Sequence, residues 1–332
     1  MKSFFYFMLI GYLTLPSLQA QEGEPFVVVS YNVENLFDTD DNPETDDEEF
    51  MPESARHWTK GRYYQKLQHI AQVIHVAGEW NTPALVGLCE VEGDSVMHAL
   101  LHRTSLRTIG YRYCITHGND QRGINVALLY DRTQFRKLGE EELVVPLPHG
   151  ERSTRNLLHV WGEVRSSDTL DVFVCHLPSR YGGELASRPK RHAAAHLLRS
   201  CIDSLCQERS KSLCLIMGDF NDSATDATLT SILKAQPFPT EILRDSSLYN
   251  LFFTAKGSHK YQGEWHQLDH ILVNGRLARQ LQLESAKVLR PPFLLTRDKT
   301  WRGVRPFRSY YGFRYEGGYS DHLPLRCVLL FP

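Results

Sequence analysis

LCLIMGDFND, residues 213–222, decides how the rest of the chain is read. The apolar run from Leu213 to Met217 has the length of a buried strand, and Gly218 closes it where Asp219 and Asn221 begin. One carboxylate or amide at a strand end is ordinary, because Asp and Asn also form turns and helix caps. Repetition makes it informative. VVVSYN (27–32) delivers Asn32, LVGLCE (85–90) delivers Glu90, and VFVCH (172–176) delivers His176. Leu268 precedes Asp269 and His270 before another apolar run, and Ser320-Asp321-His322 precedes the last one. Strand ends on one edge of a sheet converge in space, so the set predicts a cluster of carboxylates, amides and two histidines.

Working outward, strands are predicted over Phe26–Tyr31, Ala84–Cys89, Gly123–Tyr130, Leu157–Val164, Leu170–His176, Leu268–Val273 and Leu325–Phe331. Helical periodicity covers Gly61–Val76 and Ser187–Gln207. The three middle strands follow one another through short polar turns, as hairpins do. Many strands with few long helices indicate an α+β protein with packed, mainly antiparallel sheets and helices outside.

Composition agrees: 332 residues, 42% hydrophobic and 23% charged, exclude a disordered, collagenous or coiled-coil chain. A net charge of -2 gives no global attraction to nucleic acid, so a polyanion site must come from local clustering. Lys2, the apolar run Phe4–Leu15 and Pro16-Ser17-Leu18-Gln19-Ala20 read as a signal peptide over residues 1–20, with an uncleaved anchor as the alternative. Residues 21–332 then form one exported domain, periplasmic or secreted, with no stable membrane insertion after cleavage. The seven cysteines do not make a disulfide framework. Cys89, Cys175 and Cys214 fall within apolar strands, Cys201 and Cys206 point to different faces of a helix, and no pair has zinc-ligand spacing.

Two segments stand out. Asp38–Glu53 is packed with carboxylates and reads as a solvated loop in preference to a calcium site, since it lacks regular ligand order. Arg297–Tyr315 interleaves six basic residues with six aromatics against the single acid Asp298, which suits a surface that tracks a polyanion. Its alternative reading is a small satellite core whose arginines neutralise the acidic loop.

The residue types at the strand ends suggest a reaction. Glu90 with Asp219 or Asp321 offers hard oxygen ligands of the kind Mg²⁺ or Mn²⁺ prefers. Asn32 and Asn221 can donate to phosphoryl oxygens, and His322 beside a buried carboxylate would have its charged form stabilised and its ring oriented, as a general base for water requires. The sequence has no nucleophile elbow and no phosphate-cradling glycine loop, which leaves metal-assisted hydrolysis of a phosphoester by water.

These stretches resemble the endonuclease/exonuclease/phosphatase superfamily: SYNV (30–33), LCEV (88–91), HLPSR (176–180), GDFND (218–222), LDHIL (268–272) and YSDHLP (319–324), in the family's order and across almost the whole mature chain. The resemblance implies a four-layer α/β/β/α sandwich. It makes Glu90 the principal metal ligand with Asn32 and Asp321 close by, and Asp219 and Asn221 the residues that orient water and phosphate. Asp269 would pair with His322, and His176 would contact the phosphate or act as general acid. The general base, Asp219 or His322, and the number of metals stay open. Arg180, Arg122 and Asn125 are further candidates for substrate contact, whereas His270 alternates to the opposite face; Trp265 and His266 are placed near the cleft. The expectation is an exported, Mg²⁺- or Mn²⁺-dependent nuclease-like phosphodiesterase acting on nucleic acid. A phospholipid or sugar-phosphate phosphoesterase is the alternative within the class, and a catalytically silent binding module the alternative outside it. Oligomeric state is not readable.

Overall fold

Strand β1 (Glu24–Leu36) shows how the layers arise. Val27, Val29, Tyr31 and Val33 enter one buried cluster while Phe26 and Val28 enter another, so both faces of the strand are covered. A strand buried on both sides needs a partner layer above and below. This computed structural model describes residues 23–148, 154–180, 182–209, 211–238 and 243–332. The segment read as a signal peptide lies outside the described residues.

Along the chain, β1 is followed by α1 (Lys60–Gly78), β2 (Leu85–Val91), α2 (Asp94–His102), β3 (Arg112–Ile115) and β4 (Asn125–Tyr130). Next come β5 (Arg136–Leu143), β6 (Leu157–Glu163), β7 (Thr169–His176), α3 (Glu184–Glu208) and β8 (Leu213–Asp219). The last third holds β9 (Ala235–Pro237), β10 (Leu248–Asn250), β11 (His259–Tyr261), β12 (Glu264–His266), β13 (Asp269–Asn274), α4 (Gly275–Ala278) and β14 (Lys287–Val288). Short β15 (Leu295–Arg297), β16 (Val304–Pro306), β17 (Tyr310–Tyr311) and β18 (Arg314–Tyr315) precede β19 (Leu325–Phe331).

Two mixed sheets result, ordered β14-β19-β1-β2-β4-β3 and β5-β6-β7-β8-β13-β10-β9. Their facing sides share one core, with Val28, Leu128 and Cys327 from the first sheet and Val160, Val174, Met217 and Ile271 from the second. The outer face of the first sheet is covered by α1 through Leu67, Ile70 and Ile74, and by α2. The outer face of the second is covered by α3 through Ala194, Leu198 and Ile202. Each such Leu or Ile contributes about 1.5–3 kcal/mol when taken out of water, so these stripes rather than helix propensity hold the outer layers. The α+β sandwich expected from the sequence is the fold observed.

Local expectations fare unevenly. Both predicted helices are present and slightly longer. β4 does not form a hairpin with the strands after it: it joins the first sheet, and the hairpin partner of β6 is β5, a charged edge strand that apolar patterning misses. The acidic segment is not wholly solvated. Phe50 is buried and stacks on Phe37 at 4.3 Å, and Asp47 is covered. All seven cysteines are free thiols, and no described helix is long and apolar enough to cross a membrane.

Candidate active site

The ladder between β7, β8 and β13 builds one wall of the site. His176 pairs in register with Asp219 on one side, and Asp269 pairs with Asp219 on the other, so an imidazole and two carboxylates stand in a row. Gly218 makes this row possible. It sits at φ +140°, and a Cβ there would lie 1.9 Å from the Cys175 carbonyl oxygen.

The first sheet supplies the facing wall. Glu90 lies where β2 loses register with both of its neighbours, with its backbone at φ +65°, a costly conformation for a non-glycine residue. Its carboxylate is fixed by the Asn35 N–H at 2.8 Å and by the Asn32 amide at 3.2 Å. Asn32 also donates to Asp219 at 3.1 Å and thereby joins the two sheets. The Asn32 oxygen accepts the Glu34 N–H at 3.0 Å, so the side chain is held at both ends while its amide orients the two carboxylates.

His322 arrives from the loop before β19. Ser320 anchors that loop on the Asn32 carbonyl at 2.7 Å. His322 Nδ1–H donates to Asp269 at 2.7 Å, and Ser258 Oγ donates to the same carboxylate oxygen. Its Nε2 is 3.8 Å from Asp219, and His176 Nε2 lies 3.7 Å from that same oxygen and 3.9 Å from Glu90. Asn221, at φ +51°, donates to the Leu177 carbonyl at 3.0 Å, and its own N–H donates to Asp219 at 2.9 Å.

Burial and charge set the protonation states. Burial pushes Asp219 up to about 7, aided by Asp269 and opposed by His322. Burial opposes charge on His322, but Asp269 and Asp219 outweigh it and hold the ring well above its usual range. His176 is held well below its usual value by burial, then by Arg155 and Arg122. Burial likewise pushes His259 down to about 3, with His322 adding to the effect.

The cleft holds about 540 Å³ and is lined by Glu90, Asp219, Asn221, His176, His322 and Asp321 among others, with Arg122 and Arg180 also on its wall. Two sequence candidates take other duties. Asn125 is spent on structure: its oxygen accepts from Thr116 and Gly118, its amide donates to the Glu92 carbonyl, and it does not reach the cleft. Arg180 is engaged by Asp222, Asp226 and Glu184 and by the Asn221 carbonyl, so its charge is neutralised. The Arg122 backbone N–H donates to Asp120 at 3.1 Å, while its guanidinium donates to Asn35 at 3.3 Å and has no carboxylate within ion-pair distance among the described residues. His266 lines the cleft, while Trp265 lies beneath Arg290. His270, as expected, faces away, bonded to Asn250 and the Asp222 carbonyl.

Sequence reading missed Ser258, His259 and Tyr261. They come from β11 and the turn before it, a short polar stretch with no strand signature. Yet the His259 ring lies 4.7 Å from that of His322.

Residues 27–330 match the Endonuclease/Exonuclease/phosphatase family. The chain belongs to this family. No curated protein matches it by sequence. Among solved structures it resembles an endonuclease/exonuclease/phosphatase family protein from Bacteroides thetaiotaomicron, at 15% identity and TM-score 0.60, covering 94% of this chain and 99% of that one. The mannosyl-6-phosphatase of the same organism gives 15% identity and TM-score 0.60 over 92% of this chain and 100% of that one. The human nocturnin catalytic domain, solved with sulfate, gives 18% and 0.56 over 93% and 95%. At these identities the likeness establishes the fold, and the family match identifies a phosphoester hydrolase.

Proposed function

We propose that this protein is a divalent-metal-dependent phosphoesterase, using Mg²⁺ or Mn²⁺, whose water nucleophile is activated by Asp219. The observation that carries the reading is the meeting of Glu90 and Asp219 at His176 Nε2, with Asp219 and Asp269 in turn flanking the charged His322 ring. Three buried or half-buried carboxylates outnumber the one imidazolium, and hard oxygens with an excess of negative charge fit a divalent cation. Glu90 would hold the ion with Asp219 beside it. When bound, such an ion supplies positive charge to the phosphoryl oxygens as bonds rearrange.

The chain's own residues do the proton work. An imidazolium has no lone pair to accept a proton, so His322, charged between Asp269 and Asp219, serves as donor and not as base. Asp219, with its affinity for a proton near neutrality, takes the proton of water as the water oxygen bonds to phosphorus and the ester oxygen departs. His176, neutral and buried, offers a hydrogen bond without charge.

For the substrate, the free charges favour a compact phosphoester. Arg122 is a cleft cation whose guanidinium has no carboxylate within ion-pair distance among the described residues, which suits one phosphate. In the basic segment Arg305 and Arg314 pair with Glu316, and Arg308 with Asp321. Tyr310, Phe307 and Tyr315 pack on the core. The acidic loop is met instead by Arg56, through Glu49. Nucleic acid is the second reading, supported by half-exposed Trp301 and by Arg297, Lys299 and Arg302, for which no carboxylate lies within ion-pair distance among the described residues.

The test assays sugar phosphates, a chromogenic phosphodiester, DNA and RNA with Mg²⁺, Mn²⁺ and chelator. Turnover of the small esters, loss with chelator, and a Glu90→Gln loss of at least about a hundredfold are expected. Full activity of Glu90→Gln would sink the reading. Preference for polymer with a steep salt dependence would move the substrate to nucleic acid.

A further inference from the structure

Beside the carboxylates just described lies a second charged group. Asp321, next to His322 in sequence, forms an ion pair with the Arg308 guanidinium, which also sits 3.7 Å from Glu34. Glu34 is buried two residues beyond Asn32 and accepts the Ser309 N–H at 2.7 Å. Lys66 reaches in from α1, 2% exposed, lies 3.9 Å from Glu34, and donates to Ser309 Oγ at 2.6 Å and to the Tyr319 carbonyl at 3.0 Å. A lone buried charge would be severely penalised. Here two carboxylates meet two cations, and the Glu34–Lys66 pair sums to zero whichever partner holds the proton.

The same place has the donors of a metal site. Ligand atoms of His259, Asp321 and His322 lie within 4.8 Å of one another, and His259 Nε2 is 3.9 Å from Asp321. His322 turns Nδ1 toward Asp269, so the atom it could offer a metal is Nε2, which must first lose its proton, and His259 Nδ1 is buried without a hydrogen-bond partner. What distinguishes this cluster from the one around Glu90 is that a permanently charged guanidinium is already paired with its carboxylate.

We propose that Arg308 is a built-in cation that takes the place of a second metal ion, so that the enzyme works with one divalent ion, on the Glu90 side. The inference rests on the metal-dependent reading above. Geometry supports it: the Arg308 guanidinium is ion-paired with Asp321 and lies 3.7 Å from Glu34, so the carboxylates on that side already face a fixed cation, whereas Glu90 is held only by the Asn35 N–H and the Asn32 amide. The guanidinium is planar and permanently charged, so it can hold Asp321 without itself binding or releasing a metal. This also gives the basic segment a role that its composition did not suggest. The segment carries one arginine inward to the catalytic edge.

The experiment counts Mn²⁺ bound to the full chain by calorimetry and by the loss of the free-ion paramagnetic signal. The wild type and Arg308→Lys should take one ion per chain. Arg308→Ala and Arg308→Gln should take a second, at least tenfold tighter than any further binding to the wild type, and His259→Ala in either background should abolish it. Two ions on the wild type would overturn the proposal without any variant, and so would a single ion on a folded Arg308→Ala or Arg308→Gln protein. In the last case a chelator-sensitive wild type with an inactive Glu90→Gln would leave the functional reading standing. A wild type that binds no ion defeats both.

Discussion

Replacing Asp269 with Asn tests the proton-transfer geometry most directly. The two side chains have nearly the same shape, but the charge beside His322 disappears while the Ser258 hydroxyl and the buried setting remain. Two unit charges about 4 Å apart interact by about 4 kcal/mol at the effective dielectric of roughly 20 that suits protein sites. A hydrogen bond to a charged group contributes about 1.5–3 kcal/mol on its own account. These overlap, so a loss of roughly 3–4 kcal/mol in the transition state is expected, which is about a 10²–10³-fold fall in kcat. KM should move little, because Asp269 is buried behind His322 and does not line the cleft. The assay is steady-state hydrolysis of a small chromogenic phosphodiester with saturating Mn²⁺, with circular dichroism to establish folding. His322→Ala should show a similar loss, and the double variant should be little worse than either single one, since the pair acts as a unit. A fall of less than tenfold in Asp269→Asn, or losses that multiply in the double variant, would refute the reasoning.

His270 should shape acid stability. Burial holds its ring down at about 4, so the folded state keeps it neutral while the unfolded chain protonates it near its ordinary value of about 6.5. Its contribution is therefore present above about pH 6.5 and lost as pH falls toward the folded value, roughly 3 kcal/mol across that window. Urea unfolding of His270→Gln should show a flatter acid limb than the wild type, and identical pH dependence would count against this assignment. Gly218→Ala should cost more than about 3 kcal/mol, because the added Cβ meets backbone that cannot yield. A melting temperature within a few degrees of wild type would show that β7 and β8 are less closely joined there than this ladder implies.

The parts of the fold that were legible are those where a residue's neighbours in sequence decide its surroundings. Val27–Val29, Leu213–Met217 and Cys327–Phe331 are apolar at consecutive positions because both of their faces are covered, and Asn32 and Asp219 beyond the first two runs mark the sheet edge. That is why Asn32, Glu90, His176, Asp219 and Asp269 could be gathered from a single chain. β5 escaped notice for the opposite reason. It is an edge strand with one open face, and Arg136, Glu140 and Glu141 carry the charges that protect such an edge from pairing with another chain. Asn125, a candidate for substrate contact that opens β4, has its amide used up by Thr116, Gly118 and Glu92. Position at a strand end is not sufficient for a place in the cleft, and Arg122 and Arg180 reach it from loops.

Charge was the least legible property, and the reason is physical. Summing charges over Arg297–Tyr315 counts each arginine as free, but a guanidinium in a folded chain is free only if no carboxylate reaches it. The partners of Arg305, Arg308 and Arg314 are Glu316, Asp321 and Glu34, all outside the segment, and Glu34 lies at the far end of the chain. Arg308 and Glu34 are brought together only when β1 and β19 pair, a contact of large sequence separation that no window can register. The same pairing sets the Ser320 hydroxyl on the Asn32 carbonyl and so fixes where Asp321 and His322 stand. A run of basic residues just before a catalytic motif can therefore be an inward brace as readily as an outward binding surface. The side chains that decide between them here are Glu34, Glu316 and Asp321.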